Sequence, residues 1–141
     1  MEIKEFVGKW SGTYTYGNEY DEPVKGKTVA FEMTLTLVNG QLKGECTDEE
    51  SAAHFGEPAV IEGSVHDNSI SFIKRYPYYW QHEINGPRFL PKLPSQEILY
   101  SGQFVNDKFE GEWEIVTILA DAHGELISYK SYGHWAMKKE V

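Results

Sequence analysis

Residues 29–46 read VAFEMTLTLVNGQLKGEC and decide the fold. On both sides of Asn39-Gly40, every second residue is apolar or small, which is the period of a strand with one buried face. Asn and Gly tolerate the positive φ angles of a two-residue type I′ turn, so Leu37 faces Leu42 across the turn. The stretch therefore predicts an antiparallel hairpin whose register is set by its turn.

The same arrangement recurs in residues 65–70, VHDNSI, and in residues 104–109, FVNDKF. Each segment carries Asn or Asp at its centre and an apolar residue at either end, and these two end residues face one another in the predicted register. Continuing the last of these hairpins along its strands places Tyr100 opposite Trp113. Because the alternation beyond the turns has the same phase, we predict three hairpins in all.

Two more alternating segments, residues 6–16 and 127–138, flank these hairpins. They bring the predicted strands to eight, and no segment has the period of a helix. Eight consecutive antiparallel strands close naturally into an up-and-down barrel, because closure removes the exposed edges of an open sheet. We therefore predict an all-β fold in which residues 1–141 form a single domain, an eight-stranded antiparallel up-and-down β-barrel.

The lengths of the connections distinguish the two ends of this barrel. The tight turns lie at one end, which we expect to be a closed floor. The long connections lie at the other end and form the mouth, where scaffolds of this kind usually carry their binding sites. These connections are residues 17–27, 47–58, 77–97 and 119–126.

The longest connection, residues 77–97, reads PYYWQHEINGPRFLPKLPSQE. A solvated linker rarely contains so many aromatic residues, so we predict a folded lid or rim that packs over the mouth. In the alternative interpretation, its aromatic side chains pack against the outside of the barrel or against a second subunit. That alternative leaves a homodimer open as a form of the protein.

Composition argues against several classes of partner. The net charge of −9 and the pI near 5.0 disfavour nucleic acid and anionic membranes, since both require a basic surface. Cys46 is the single cysteine, which excludes an internal disulfide and a cysteine-based zinc site. No apolar run has the length of a bilayer span, and the first residues lack the apolar core of a signal peptide, so we expect a cytoplasmic protein.

No motif indicates a cofactor or a metal. The five histidines lack the spacing of a metal site, and the sequence has no phosphate-binding loop, dinucleotide fingerprint or nucleophile elbow. We therefore expect neither a cofactor nor a metal. His54, His82 and His123 fall on mouth connections, where chance proximity is favoured over an acid–base group.

The candidate ligand-binding residues point inward near the mouth or lie on its longest connection. They are mainly aromatic and carry several hydroxyls, which suits a small apolar or aromatic ligand with a few polar atoms. The alternative is a solid core in which each hydroxyl finds a backbone partner. The set is Tyr14, Tyr16, Met33, Lys74, Tyr76, Trp80, Tyr100, Trp113, Tyr129 and Ser131.

Lys74 is the most informative residue of this set. In register it pairs with Ile61 and points inward, where an ammonium group needs a counter-charge. An acidic ligand would supply that charge, or a depressed pKa would make Lys74 an activated amine. The favoured interpretation is that the side chain extends to the mouth, or that a bulge turns it outward and Arg75 inward.

The segment Phe6-Val7-Gly8-Lys9-Trp10 resembles the opening strand of the calycin superfamily, which comprises the lipocalins, the fatty-acid-binding proteins and the avidins. The order of predicted elements is similar over nearly the whole chain. Lys138 and Lys139 end the last strand, where lipocalins place a basic residue over the tryptophan. Residues 17–27 are too short for the helix pair of fatty-acid-binding proteins. The resemblance implies a ligand-binding barrel and no particular ligand.

The predicted fold is compatible with three functions. The first is the binding of a small apolar or aromatic ligand inside the barrel. The second is an enzyme on the same scaffold, a cyclase, isomerase or lyase, in which a tyrosine or Lys74 polarises a hydrophobic substrate. The third is an interaction module that docks a partner through residues 77–97. A fold does not fix a function, so the sequence leaves open whether the protein is an enzyme.

Overall fold

The computed structural model describes residues 3–17, 20, 24–52, 54–83, 86–120 and 122–140, of which residues 3, 4, 82, 83, 117–120 and 129 are described by their backbone alone. In this part of the chain a 3₁₀ turn, Ile3–Phe6, precedes ten strands. They are β1 (Gly8–Tyr16), β2 (Thr28–Val38), β3 (Gln41–Asp48), β4 (Ala59–His66), β5 (Ser69–Arg75), β6 (Tyr79–Glu83), β7 (Gly86–Leu90), β8 (Ile98–Val105), β9 (Lys108–Ala120) and β10 (Leu126–Lys139). No helix among the described residues is long and apolar enough to span a membrane.

Eight of these strands form the closed antiparallel barrel that the sequence predicts. Around the barrel, β1 is followed by β2, β3, β4, β5, β8, β9 and β10, and β10 pairs with β1. Neighbouring strands are consecutive along the chain apart from the inserted β6 and β7, which is the order of an up-and-down barrel. The all-β class and the eight-stranded closure are therefore confirmed.

The tight turns set the register as their residues predict. In the first turn Asn39 and Gly40 have φ angles of 52° and 81°, in the left-handed region that a type I′ turn requires. Because the side-chain period of a strand is two, this register turns the alternating apolar residues of β2 into the barrel. The observed pairs are the predicted ones: Leu37–Leu42, Val65–Ile70 and Phe104–Phe109.

The hairpin of β6 and β7 is an addition to the predicted strands. It lies within residues 77–97, and in the described part of the chain its two strands pair with each other as a separate sheet. Trp80 on β6 is buried, and its ring centroid lies 5.6 Å from that of Tyr76, the residue after β5. Phe89 on β7 stacks on Trp80 with the centroids 5.5 Å apart. The segment is thus folded, and its aromatic side chains contact the barrel.

Aromatic side chains fill the end of the barrel that carries the tight turns. Phe6, Trp10 and Phe109 are almost completely buried, and the ring of Phe109 lies 5.1 Å from Phe6 and 5.3 Å from Trp10. The indole Nε1 of Trp10 donates a 2.9 Å hydrogen bond to the carbonyl of Phe6, which fixes the 3₁₀ turn against the barrel. This end is the closed floor, and the end with the long connections is the mouth.

Gly133 on β10 shows how a small inward residue positions a large one. A Cβ at this position would overlap the carbonyl oxygen of Thr15 on β1 and the indole ring of Trp113 on β9. Trp113 occupies the space that the glycine leaves, and its Nε1 donates a 3.2 Å hydrogen bond to the carbonyl of Thr15. The ring of Trp113 is therefore fixed across the interior, near the mouth.

Candidate functional site

A cavity of about 180 Å³ lies at the mouth end of the barrel. Its wall combines inward residues of the strands with residues of the long connections, which meet at this end. Eight of the thirteen lining side chains are aromatic. The lining residues are Tyr14, Tyr16, Tyr20, Tyr76, Tyr79, Trp80, Gln81, Gln96, Ile98, Tyr100, Trp113, Ile115 and Ser131.

The cavity brings together seven of the ten residues that the sequence suggests as a ligand-binding set. Met33 and Lys74 are buried in the barrel interior but do not line the cavity. The side chain of Tyr129 lies outside the described part of the structure. The seven lining residues are Tyr14, Tyr16, Tyr76, Trp80, Tyr100, Trp113 and Ser131.

Six lining residues are additional to that set. Ile98 and Ile115 continue the inward phase of β8 and β9 and pair with each other, so the alternation alone could have identified them. The other four lie on connections or on the inserted hairpin, where no strand period of the barrel fixes the direction of a side chain. They are Tyr20, Tyr79, Gln81 and Gln96.

Contacts between rings hold the cavity wall in place. Tyr16 meets Tyr20 and Trp113 edge to face, with ring centroids 4.8 Å and 5.5 Å apart. The hairpin adds a second group, in which Trp80 meets Tyr76 edge to face. Edge-to-face contacts are favourable because the positive edge of one ring approaches the negative face of the other. The aromatic wall is thus a packed structure.

Lys74 lies beside this wall and points into the barrel, opposite Ile61 as predicted. Its side chain is 1% exposed, and its Nζ lies 3.1 Å from Oδ2 of Asp48, whose side chain is completely buried. The favoured interpretation, in which Lys74 reaches solvent or is turned outward by a bulge, is therefore wrong. The counter-charge comes from the chain itself, so charge balance at Lys74 no longer argues for an acidic ligand.

Asp48 holds this ion pair in a complete set of hydrogen bonds. Its Oδ2 also accepts the Tyr76 hydroxyl at 2.7 Å, and its Oδ1 accepts the hydroxyl and the backbone N–H of Ser51 at 2.8 Å and 2.9 Å. Burial alone would raise the pKa of this carboxyl. The ammonium of Lys74 and the hydrogen bonds outweigh burial, so the pKa of Asp48 lies below its usual value and the group is ionised at neutral pH.

The ammonium of Lys74 also lies over aromatic rings. Its Nζ is 4.9 Å from the centre of the Tyr14 ring and 4.7 Å from that of Tyr76, within the range of cation–π attraction. Burial alone would lower the pKa of Lys74, but the negative charge of Asp48 beside it acts in the opposite direction, and the pKa of Lys74 lies above its usual value. This direction contradicts the alternative in which Lys74 is an activated, uncharged amine.

Glu50 is a second buried carboxylate beside the cavity, with a side chain 3% exposed. Its Oε1 accepts the Tyr14 hydroxyl at 2.8 Å and the Tyr16 hydroxyl as well, and its Oε2 lies 3.3 Å from Nζ of Lys27. Burial raises the pKa of both tyrosines, so their hydroxyls keep the protons that they donate. Neither Glu50 nor Asp48 belongs to the set suggested by the sequence.

Cys46 is a further reactive side chain of the interior, buried on β3. Burial raises the pKa of its thiol despite the nearby ammonium of Lys74, so the group is a neutral thiol that packs as an apolar residue. Among the described residues, no group of three or more His, Cys, Asp and Glu side chains could hold a metal ion.

These observations describe a closed β-barrel that is compatible with ligand binding. The cavity presents ring surfaces, hydroxyl oxygens and amides, while the buried charges beside it are engaged with one another and with tyrosines. Such an arrangement can hold and orient a small molecule. Comparison of the chain with protein-family models, with curated proteins and with solved structures gave no match.

Proposed function

We propose that the protein binds a small, largely apolar or aromatic molecule in the cavity at the mouth of its barrel. The observation that carries this proposal is the unequal filling of the interior. The floor is packed with aromatic side chains, whereas the mouth end keeps a cavity of about 180 Å³. An apolar cavity of about 150 Å³ accepts a benzene ring, so the ligand is about the size of a single small ring system.

The lining supplies both affinity and orientation. The rings of Tyr16, Trp80 and Trp113 offer apolar surface, and removing that surface from water favours binding. Gln96 and Ser131 add an amide and a hydroxyl to the wall. A few polar groups in an otherwise apolar wall are the usual means by which a pocket orients its ligand.

The β6–β7 hairpin acts as the lid of this site. Tyr79 and Trp80 on β6 contribute side chains to the lining. Among the described residues, the backbone of the hairpin forms no ladder with the barrel strands, so a displacement of the hairpin leaves the barrel's hydrogen bonds intact. A ligand can therefore enter without unfolding of the barrel.

A kinship with the calycins forms part of the proposal. The Gly8-x-Trp10 motif lies at the start of β1, and the indole of Trp10 closes the floor. Trp10 pairs in register with Lys139, the basic residue at the end of the last strand. Lys139 donates a 2.9 Å hydrogen bond to the carbonyl of Glu5, which ties the end of β10 to the 3₁₀ turn. These features support a calycin-like binding barrel.

The experiment that tests the function fills the cavity with a side chain. Ser131 on β10 lines the cavity and lies opposite Ile115, so Ser131→Phe places a ring in the space that a ligand would occupy. We expect indole, used as a probe in an NMR titration, to bind this variant at least about tenfold more weakly than the wild type. Circular dichroism is expected to show an unchanged β-barrel.

Ser128→Phe is the matched control, because it makes the same change at an exposed position on the same strand. We expect it to bind indole as the wild type does. Equal affinities for the two phenylalanine variants would place any ligand outside the cavity. If the wild type bound none of a panel of one-ring and two-ring aromatic probes, the proposed function would be contradicted.

A further inference from the structure

A groove lies on the outer surface of the barrel, on the other side of the sheet from the cavity. Its volume is about 500 Å³, and it is lined by residues of five neighbouring strands, β4, β5, β8, β9 and β10. Neighbouring strands lie about 4.8 Å apart, so the groove extends for about 19 Å, which is the length of about six residues of extended chain.

The strand register produces this groove by placing a row of small side chains beside a row of larger ones. Ser64 pairs with Ser71, which pairs with Ser101, so three serines lie side by side on the outward face. Two residues nearer the mouth on the same face, Ile73 pairs with Leu99. The serines therefore form the base of the groove, and the isoleucine and leucine form its wall on the mouth side.

This wall offers apolar surface to solvent. Leu99 is 40% exposed, and Tyr132, which lies on β10 at the end of the same row, is 43% exposed. Ile73 adjoins Leu99 directly, so the apolar surface is continuous across two strands. Exposed apolar side chains that adjoin one another mark interaction surfaces, whereas single ones scattered over a surface do not.

The charged side chains of the groove are all acidic. Glu62, Glu112 and Glu114 line it, and no lysine or arginine among the described residues does. Glu62 forms ion pairs of 2.8 Å with Lys43 and 3.5 Å with Arg75. Glu112 and Glu114 form no ion pair with a described residue. The part of the groove on β9 therefore presents two carboxylates to a positively charged partner.

The charge of the groove distinguishes between possible occupants. A second copy of the chain docked by a two-fold contact would bring Glu112 and Glu114 against the same carboxylates, because such a contact pairs a surface with itself. Like charges that meet across an interface disfavour the complex, whereas opposite charges favour it. The acidic groove is therefore complementary to a basic partner and not to itself.

We propose that this outer groove docks an extended segment of a partner protein in which apolar side chains are followed by lysine or arginine. The apolar side chains of the segment pack on Ile73 and Leu99, and its basic side chains lie against Glu112 and Glu114. Apolar contact supplies affinity, and charge complementarity selects the partner and speeds association.

Three capped hexapeptides of different composition test this proposal. The first, Leu-Ser-Leu-Lys-Ser-Lys, combines apolar and basic side chains, the second, Ser-Ser-Ser-Lys-Ser-Lys, lacks the leucines, and the third, Leu-Ser-Leu-Glu-Ser-Glu, has the opposite charge. In NMR titrations we expect the first peptide to bind at least about tenfold more tightly than either of the others. The backbone amide signals that it shifts are expected to belong to β5, β8 and β9.

Other results of these titrations would overturn the proposal. Equal affinities for the first two peptides would show that charge alone attracts them. Tightest binding by the acidic peptide would contradict the role of the carboxylates. Shifts confined to strands outside the groove would place the docking surface elsewhere, and binding of none of the three peptides would exclude a segment of this composition.

A double variant tests the two carboxylates. Glu112→Gln combined with Glu114→Gln is expected to weaken binding of the first peptide at least about threefold. Glu32→Gln combined with Glu45→Gln is the matched control, because it removes the same number of charges at exposed positions on β2 and β3. We expect this control to bind as the wild type does, and an equal loss in both double variants would overturn the proposal by showing that only net charge matters.

A single variant tests the apolar wall and keeps the test decisive if the glutamate variant does not fold. Leu99→Ser is expected to weaken binding of the first peptide at least about threefold, whereas Val38→Ser, at a 46% exposed position on β2, is expected to leave it unchanged. Unchanged affinity in Leu99→Ser would overturn the proposal. A wild-type dimer that Leu99→Ser dissociates in sedimentation would assign the groove to a second copy of the chain and overturn it as well.

Discussion

Asp48 is the residue that compensates the buried positive charge of Lys74. Asp48→Asn removes the counter-charge of Lys74, whose side chain is 1% exposed, and leaves a buried ammonium without an ionic partner. Loss of one partner of a buried pair typically costs about 3–5 kcal/mol, so we expect the free energy of unfolding to fall by that amount. Urea denaturation followed by tryptophan fluorescence measures this change.

Two further variants serve as controls for this measurement of stability. Asp48→Asn combined with Lys74→Met removes both charges and is expected to recover most of the lost stability, since no unpaired charge is left. Glu62→Gln breaks an exposed ion pair with Lys43 and is expected to leave the unfolding midpoint unchanged. A loss in Asp48→Asn no larger than that in Glu62→Gln would show that the buried pair does not form in solution.

Asp48 also shows what an alternating sequence pattern can and cannot predict about a single residue. Leu42, Gly44 and Cys46 establish the inward phase of β3, and Asp48 continues that phase. A charged residue in an inward position looks like the end of a strand, so the pattern predicts a connection from residue 47 onward. The alternating pattern does not predict that Asp48 pairs with Lys74, because Lys74 lies 26 residues further along the chain and the contact is not local.

No strand period predicts the direction of the Glu50 side chain, because Glu50 follows β3 in a turn. Its hydrogen bonds join it to Tyr14 and Tyr16, which lie 36 and 34 residues away. Inward tyrosines require partners for their hydroxyls, and this requirement was visible in the sequence. The identity of the partner was not, since it depends on how β1 and the connection after β3 meet in space.

At the scale of elements, turn chemistry and alternation together are sufficient for the eight barrel strands but not for the inserted hairpin. Asn85-Gly86 is a hairpin signal, but the structure places Gly86 in β7 opposite Glu83, so this signal does not give the observed register. Pro87 argues against a strand at the same place, because proline lacks the N–H that a ladder uses. The structure pairs Pro87 with His82 in a two-stranded sheet, where an outward-facing edge tolerates a missing donor.

The hairpin is the element whose removal distinguishes the proposed function from a docking role. Tyr79 and Leu90 lie directly opposite each other, so a two-residue Asn-Gly turn can replace residues 80–89 between them. We expect the barrel to fold with its stability lowered by about 3 kcal/mol, because the burial of Trp80 is lost. Indole affinity in an NMR titration is expected to fall at least about tenfold, since the lid and part of the lining are missing.

Analytical ultracentrifugation of the same hairpin-replacement variant tests whether residues 77–97 dock a second copy of the chain. If indole affinity were unchanged and a dimer of the wild type were lost, residues 77–97 would be an interaction surface and not a lid. A Tyr132→Ser variant is the control for exposed aromatic surface elsewhere, because Tyr132 is 43% exposed on β10. It is expected to alter neither indole binding nor the sedimentation of the protein.

At the scale of the whole molecule, the two ends of the barrel differ in what fills them. Phe6, Trp10 and Phe109 close the floor, whereas the Asp48–Lys74 pair lies beside the cavity toward the mouth, with Lys74 opposite Ile98 of the cavity wall. The apolar floor supplies stability without regard to pH, whereas the ion pair makes stability depend on the protonation of Asp48. Acid unfolding is therefore the property of the whole molecule that reports on this ion pair.

The sign of that dependence follows from the lowered pKa of Asp48. A carboxyl whose pKa is lower in the folded than in the unfolded chain contributes stability above its unfolded pKa, about 3.9, and loses it as the pH falls through the folded value. We compare the wild type with the Asp48→Asn, Lys74→Met double variant. The two proteins share all their other carboxylates, so the contributions of those groups cancel in the difference between the two free energies of unfolding. The difference in their free energies of unfolding is expected to be constant from about pH 5 to 8 and to shift against the wild type below about pH 4. Urea denaturation at each pH measures this difference, and a shift in favour of the wild type on acidification would show that folding raises the pKa of Asp48 and that burial outweighs its ion pair.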